Sequence, residues 1–330
     1  MTKSTKIPFT PLKQLLSTAC AVACLSGVLV APVDAAIIYA TGRNLSDTSY
    51  PTGPYYYQID TTTGAATRIS PLLTANGPNG LSAVGDQIVG FSAGTHGIVN
   101  PIAGTFMPVG TTNGLTLSGY DVLNGSGYGV PSSGADRRLQ RIDLTTSAAT
   151  GLGTGNPIGS VMDTFYGNAA GTNNPSILAL GSVGNTLYGV NSGAGKYNLV
   201  ALNPDTGEAT FIGAPNAVAT SGNPGARYDG FAALTGVDED GDNVYDSLYG
   251  SINFYDPDGL GGPAAQQDFG GVIRFDLNNG TWSLVGNNPG IIFFGFASPT
   301  AAAIPEPGTV AMVVVGLALA GGVALRRRRK

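Results

Sequence analysis

The sequence predicts an all-β domain, a β-propeller of about five four-stranded blades closed by a C-terminal strand. Three observations carry the prediction. One hairpin motif recurs five times; two further strand segments precede most copies; and the strand that the first unit lacks has a counterpart after the last unit.

The hairpin is clearest in Tyr56–Ser70 (YYQIDTTTGAATRIS), Leu139–Gly153 (LQRIDLTTSAATGLG), Leu199–Gly213 (LVALNPDTGEATFIG) and Val272–Gly286 (VIRFDLNNGTWSLVG), with a degraded copy at Gly97–Gly110. Each alternates apolar and polar residues up to an Asp or Asn, turns through polar residues, and alternates again. Asx side chains and Gly supply the dihedrals of tight turns, so each copy reads as a β-hairpin. Before each lies a second strand, starting at Ile37, Gln87, Gly127, Thr186 and Ser247. Before four of those lies a third: GLSAV at Gly80, GYDVL at Gly119, ILALG at Ile177 and GFAAL at Gly230. The missing fifth is matched by GFASP at Gly295–Pro299. The marker residues Asp60, Asn100, Asp143, Asn203 and Asp276 are spaced by 40, 43, 60 and 73. The first two spacings suit a blade, and the longer ones imply insertions. The repeated texture resembles propeller-like repeats of secreted bacterial proteins. Runner-up folds are a pair of β-sandwiches or a six-bladed ring.

Both ends of the chain read as addresses. Lys3, Lys6 and Lys13 precede an uncharged, mostly apolar stretch, Leu15–Ala31, and Val33-Asp34-Ala35 fits a signal peptidase site. Residues 1–35 are therefore predicted to be a signal peptide. Its removal takes both cysteines, Cys20 and Cys24, and leaves a body without disulfides or thiolate metal sites. At the other end, Pro305-Glu306-Pro307 is followed by 18 uncharged residues, Gly308–Leu325, and by Arg326, Arg327, Arg328, Arg329 and Lys330. Eighteen helical residues span roughly 27 Å, enough to cross a thin bilayer, and terminal cations favour the cytoplasmic side. This tripartite tail, residues 304–330, resembles the PEP-CTERM sorting signal of Gram-negative bacteria that make extracellular polysaccharide. The resemblance implies an exosortase as processing partner, a transient stay in the inner membrane through helix 308–325, and release to the cell surface or extracellular matrix.

Between the signals, residues 36–303 hold eight Lys/Arg and 19 Asp/Glu, a formal charge of −11. Such a surface repels nucleic acid and anionic lipid and attracts cations. No basic stripe is present, which sets nucleic-acid binding aside.

One segment gathers the charge. In VDEDGDNVYDSLY, Asp238, Asp240, Asp242 and Asp246 occupy positions 1, 3, 5 and 9 of a loop, with the Val244 carbonyl at position 7. Alternate carboxylates in a Gly-containing turn can converge on a hard cation that wants six to eight oxygens. The string resembles the calcium loops of dockerins and thrombospondin type 3 repeats, so Ca2+ is the expected ion. Position 12 is Tyr249, where an EF-hand has its bidentate Glu. That implies a weak site, and the competing reading is an acidic solvated turn.

Catalytic signals are sparse. The lone histidine, His96, is read as a surface turn residue between Thr95 and Gly97, and no nucleophile elbow, HExxH or P-loop occurs. The long loops between second and third strands, and between one blade and the next, open on one face. They carry Tyr55, Tyr166, Arg227, Tyr228 and Tyr255, a candidate sugar-binding face; the alternative is that these aromatics cap the core. The expected function is thus a non-catalytic binding or structural module of an exopolysaccharide layer. The alternative is a secreted polysaccharide hydrolase or lyase on the same scaffold.

Overall fold

The computed structural model describes residues 36–45, 54–73, 77–132, 137–154, 158, 176–193, 196–214, 217, 230–253 and 270–300, all within the compact unit Ala35–Lys330. These residues form five antiparallel sheets of four strands. Blade one combines β1 (Ile37–Asn44), β2 (Tyr55–Asp60) and β3 (Ala66–Arg68) with β20 (Ile291–Ala297), in the order β20-β1-β2-β3. Blade two is β4 (Gly80–Val84), β5 (Gln87–Ser92), β6 (Thr95–Asn100) and β7 (Thr105–Thr111). Blade three is β8 (Leu117–Leu123), β9 (Ser126–Pro131), β10 (Gln140–Ile142) and β11 (Ala149–Gly151). Blade four is β12 (Ser176–Val183), β13 (Thr186–Gly193), β14 (Lys196–Leu202) and β15 (Ala209–Ile212). Blade five is β16 (Gly230–Val237), β17 (Ser247–Asn253), β18 (Gly271–Phe275) and β19 (Trp282–Asn287).

The chain's two ends close the ring as predicted. β20 pairs with β1 in the register Tyr39↔Ala297, Ala40↔Phe296 and Thr41↔Gly295. The innermost strands touch in the cyclic order β20, β4, β8, β12, β16 and back to β20. They can approach because they are lined with small residues. A Cβ on Gly80 would fall 2.7 Å from Tyr120 Cβ, one on Gly119 2.9 Å from the Ala179 backbone, and one on Gly295 2.8 Å from Leu81 N. Gly80, Gly119, Ala179, Ala233 and Gly295 thus surround a narrow axial channel holding a cavity of about 10 Å³, space for about one water.

Alternation along the strands places the core between blades. Five apolar clusters fill the five blade interfaces. Tyr56, Leu81 and Ile88 lie between blades one and two, and Phe91, Leu117 and Tyr120 between two and three. Tyr128, Leu180 and Leu187 lie between three and four, and Leu199, Phe231 and Trp282 between four and five. Tyr57, Val272, Phe293 and Phe296 fill the closing seam between five and one.

The marker Asp/Asn residues cap the outer hairpins. Asp60 Oδ1 accepts from the Thr62 N–H at 2.8 Å and the Thr63 N–H at 3.0 Å. Asp143 repeats this with Thr145 and Thr146, and Asn203 with Asp205 and Thr206. The Thr62 and Thr145 hydroxyls, with these backbone bonds, hold the Asp60 and Asp143 carboxyls below the ordinary range, Asp143 at about 2. The left-handed position of each turn is Gly64, Gly104, Gly207 or Gly280, but Ser147 in blade three.

His96 departs from its expected place. It lies inside β6, is 2% exposed, and packs against Tyr120 with ring centroids 5.9 Å apart. Thr-His-Gly reads as a turn in isolation, but the pairing of Phe91 with His96 and a bulge at His96/Gly97 turn the imidazole inward. Neither ring nitrogen has a hydrogen-bond partner, and burial lowers the pKa.

Candidate functional site

The acidic segment connects β16 to β17. These are the two inner strands of blade five, so the loop emerges beside the axial channel, on the face that carries the Asx-capped hairpins. The loops predicted to bear the aromatic face open at the opposite end. Of that set only Tyr55 falls within the described residues; it is 4% exposed, meets Tyr57 edge-on at 6.4 Å and lies under Arg68 at 4.8 Å. Tyr166, Arg227, Tyr228 and Tyr255 lie outside the described residues, as do the predicted signal peptide 1–35, Pro305, Glu306, Pro307, the span 308–325 and the basic tail. Among the described residues no helix is long and apolar enough to cross a membrane.

Three of the predicted ligands converge. Each of Asp238, Asp240 and Asp242 offers a carboxylate oxygen within 4.8 Å of the others. The backbone sets this geometry. Asp238 accepts from Gly241 N at 2.7 Å and Asn243 N at 2.8 Å, Asp240 from Asp242 N at 3.2 Å, and Asp242 from Val244 N at 2.8 Å. Gly241 (φ 79°) and Asn243 (φ 68°) take the left-handed conformation such winding needs. Asp246 stands apart from the trio and accepts from Glu239 N at 3.4 Å. Val244 is 52% exposed. Glu239 faces away from the trio. It accepts from the Tyr249 hydroxyl at 2.6 Å and pairs with Arg274 at 2.6 Å. Tyr249, where an EF-hand places its last ligand, thus anchors the loop base instead. Three carboxylates and water make a chemically fitting but incomplete shell for Ca2+.

Tyr245 ties this loop to the channel mouth. Its carbonyl accepts from Gly184 N of blade four at 2.9 Å, and its hydroxyl donates to the Ser298 carbonyl, just past β20, at 2.7 Å. A Cβ on Gly236 would lie 2.9 Å from the Tyr245 ring and 1.9 Å from the Ser182 carbonyl, so only glycine admits the ring there. Near the ring is Asp121, an inner-strand carboxylate 3% exposed. Asp121 Oδ1 accepts from Ser82 Oγ at 2.6 Å, while Oδ2 is buried without a partner. Burial pushes the Asp121 carboxyl up to about 6, against the pull of Ser82, Ser182 and the Val122 N–H. The sequence reading missed Asp121 because in GYDVL it looks like the polar member of an ordinary alternation.

The profile of the PEP-CTERM protein-sorting motif matches residues 303–329. The chain carries a PEP-CTERM sorting signal. That signal marks the protein for exosortase processing and for membrane-associated sorting toward the cell surface. No curated protein matches the sequence. The similar solved structures are distant in sequence. A quinonprotein alcohol dehydrogenase-like protein from Bacteroides thetaiotaomicron is 10% identical over 80% of this chain and 69% of its own, with a TM-score of 0.37. A protein of unknown function from Bacteroides caccae is 10% identical over 80% and 98%, at 0.41. A putative 6-phosphogluconolactonase from Bacteroides uniformis is 13% identical over 78% and 83%, at 0.35. The PEP-CTERM signal matches residues 303–329, and the strands of the propeller lie between Ile37 and Ala297.

Proposed function

We propose that this protein is a surface-exported, non-catalytic binding or structural module of an exopolysaccharide layer, with Ca2+ held by its acidic loop. The sorting signal carries the reading, because it delivers the propeller to the compartment where such a layer is built. The body's charge of −11 supports it: an acidic surface associates with anionic polysaccharide best when divalent cations screen or bridge the two. Asp238, Asp240 and Asp242 would supply the charged ligands, with the Val244 carbonyl, Asp246 and water completing six to eight oxygens after the loop tightens.

The test is exopolysaccharide isolated from the producing cells, incubated with residues 36–303 in Ca2+ or chelator. The expected result is Ca2+-dependent co-sedimentation with no release of reducing ends. Release of reducing ends, abolished by a single Asp→Asn change, would establish the hydrolase or lyase reading instead.

A further inference from the structure

We infer that Asp121 is a proton-operated latch that draws blades two, three and four together at the channel mouth beneath Tyr245. The latch is separate from the acidic loop, and its test does not depend on the proposed cation.

Ser82 Oγ accepts from the Val122 N–H at 2.9 Å and donates to Asp121 Oδ1 at 2.6 Å. Ser182 Oγ donates to the Val122 carbonyl at 3.3 Å. Around the same mouth, Thr235 Oγ1 donates to the Gly236 carbonyl and accepts from Ser298 N, and Ser298 Oγ donates to the Ile37 carbonyl. The Ser82 hydroxyl proton is thus spent on Oδ1, and the Ser182 hydroxyl lies within reach of both the Val122 carbonyl and the Asp121 carboxyl. Oδ2 itself is buried and has no hydrogen-bond partner. A buried oxygen in that position is costly when ionised and comfortable when it carries a proton of its own. Protonated, Oδ2 donates to Ser182 Oγ, the hydroxyl beside the carboxyl. One unbroken chain then runs from Ser82 on β4, through Asp121 on β8, to Ser182 on β12. Ionised, the link to blade four depends on Ser182 giving up its bond to Val122, and the charge stays out of water.

Among the described residues, the elements packed against β8 supply no compensating cation. The ionisable groups on strands packed against β8 are Tyr128 on β9 and Tyr188 on β13; β4, β5, β12 and β16 have none. Tyr120, on β8 itself, and Tyr245, from the loop, are held neutral by burial, and Asp238 lies beyond Tyr245. His96 touches Tyr120 and titrates with the opposite sign: burial lowers its pKa, so its stability is present above the unfolded value and lost as pH falls. For Asp121, raised to about 6, the contribution is full below the unfolded value of 3.8 and is lost as pH rises through about 6.

Asp121→Asn is the diagnostic variant. Its Nδ2–H replaces the Oδ2–H, so it mimics the protonated latch at every pH. The full chain in detergent, parent and D121N, is melted at pH 5 and pH 7.5 with tetramethylammonium as the only added cation. Subtracting one from the other cancels His96 and the acidic loop. The expected result is that D121N exceeds the parent by roughly 5 °C or more at pH 7.5 and by far less at pH 5. A difference unchanged by pH, or a parent rescued at pH 7.5 by Na+ or Ca2+ at this position, overturns the latch. Infrared difference spectra of the parent provide a reading that needs no variant. A protonated-carboxyl band should disappear as pH rises through about 6; absence of any such band above pH 5 also overturns it.

Discussion

Asn253 tests the closing seam. It is the last residue of β17 in blade five, 8% exposed, and it grips β20 of blade one by the backbone. Its Nδ2 donates to the Phe293 carbonyl at 2.8 Å, and its Oδ1 accepts from the Phe293 N–H at 3.0 Å. Phe293 is fully buried, so Asn253→Ala leaves one donor and one acceptor without water or partner. At about 1–3 kcal/mol for each unpaired buried group, the loss is about 2–6 kcal/mol. For a domain of this size each kcal/mol moves Tm by roughly 2–4 °C, so residues 36–303 should melt roughly 4–24 °C lower. Asn253→Asp keeps the acceptor but sets a carboxylate oxygen against the Phe293 carbonyl, so at pH 7 it should lose at least as much. Circular dichroism melts of parent and both variants decide the matter. If both variants melt within ~2 °C of the parent, the seam is not held as described, and the inference that β20 seals the ring loses its energetic basis.

Two further outcomes follow from the same geometry. Ser147 holds φ 61° where the other blades place glycine, and its buried hydroxyl has no partner; Ser147→Gly should stabilise by about 1 kcal/mol in chemical denaturation, and a loss of stability would refute the strain argument. Ca2+ at about a hundred times its dissociation constant should add about 2.7 kcal/mol, and ~5 mM should raise Tm by a few degrees. Asp240→Ala should abolish most of that gain while leaving calcium-free stability equal or higher; no shift in the parent would reduce the loop to an acidic turn.

Much of this architecture was legible because its cues are local. An Asx residue two or three positions before the N–H groups it caps writes itself into each hairpin, so Asp60, Asn100, Asp143, Asn203 and Asp276 count the blades. The absent first strand and the orphan GFASP segment point to each other for the same reason. Features that depend on distant partners were harder to read. Aligning GFAAL with GLSAV by their glycines misplaces the axis, because a bulge at Phe231/Ala233 brings Ala233, not Gly230, to the channel. His96 reads as a turn until Tyr120 is seen beside it. Glu239 reads as one more repelling acid, yet Arg274, 35 residues away, takes its charge out of the loop. Tyr245 shows no sign in sequence that it bonds both Gly184 of blade four and Ser298 after β20.

The central claim is that the sorting signal delivers this propeller to a polysaccharide layer and that the layer retains it. Enzymatic stripping of the exopolysaccharide from intact cells, followed by immunodetection of the protein in the wash and on the cells, tests that claim most directly. The account predicts that stripping moves the protein into the wash, and that a chain lacking Pro305–Lys330 never reaches the layer at all. Equal retention on stripped and unstripped cells would contradict it.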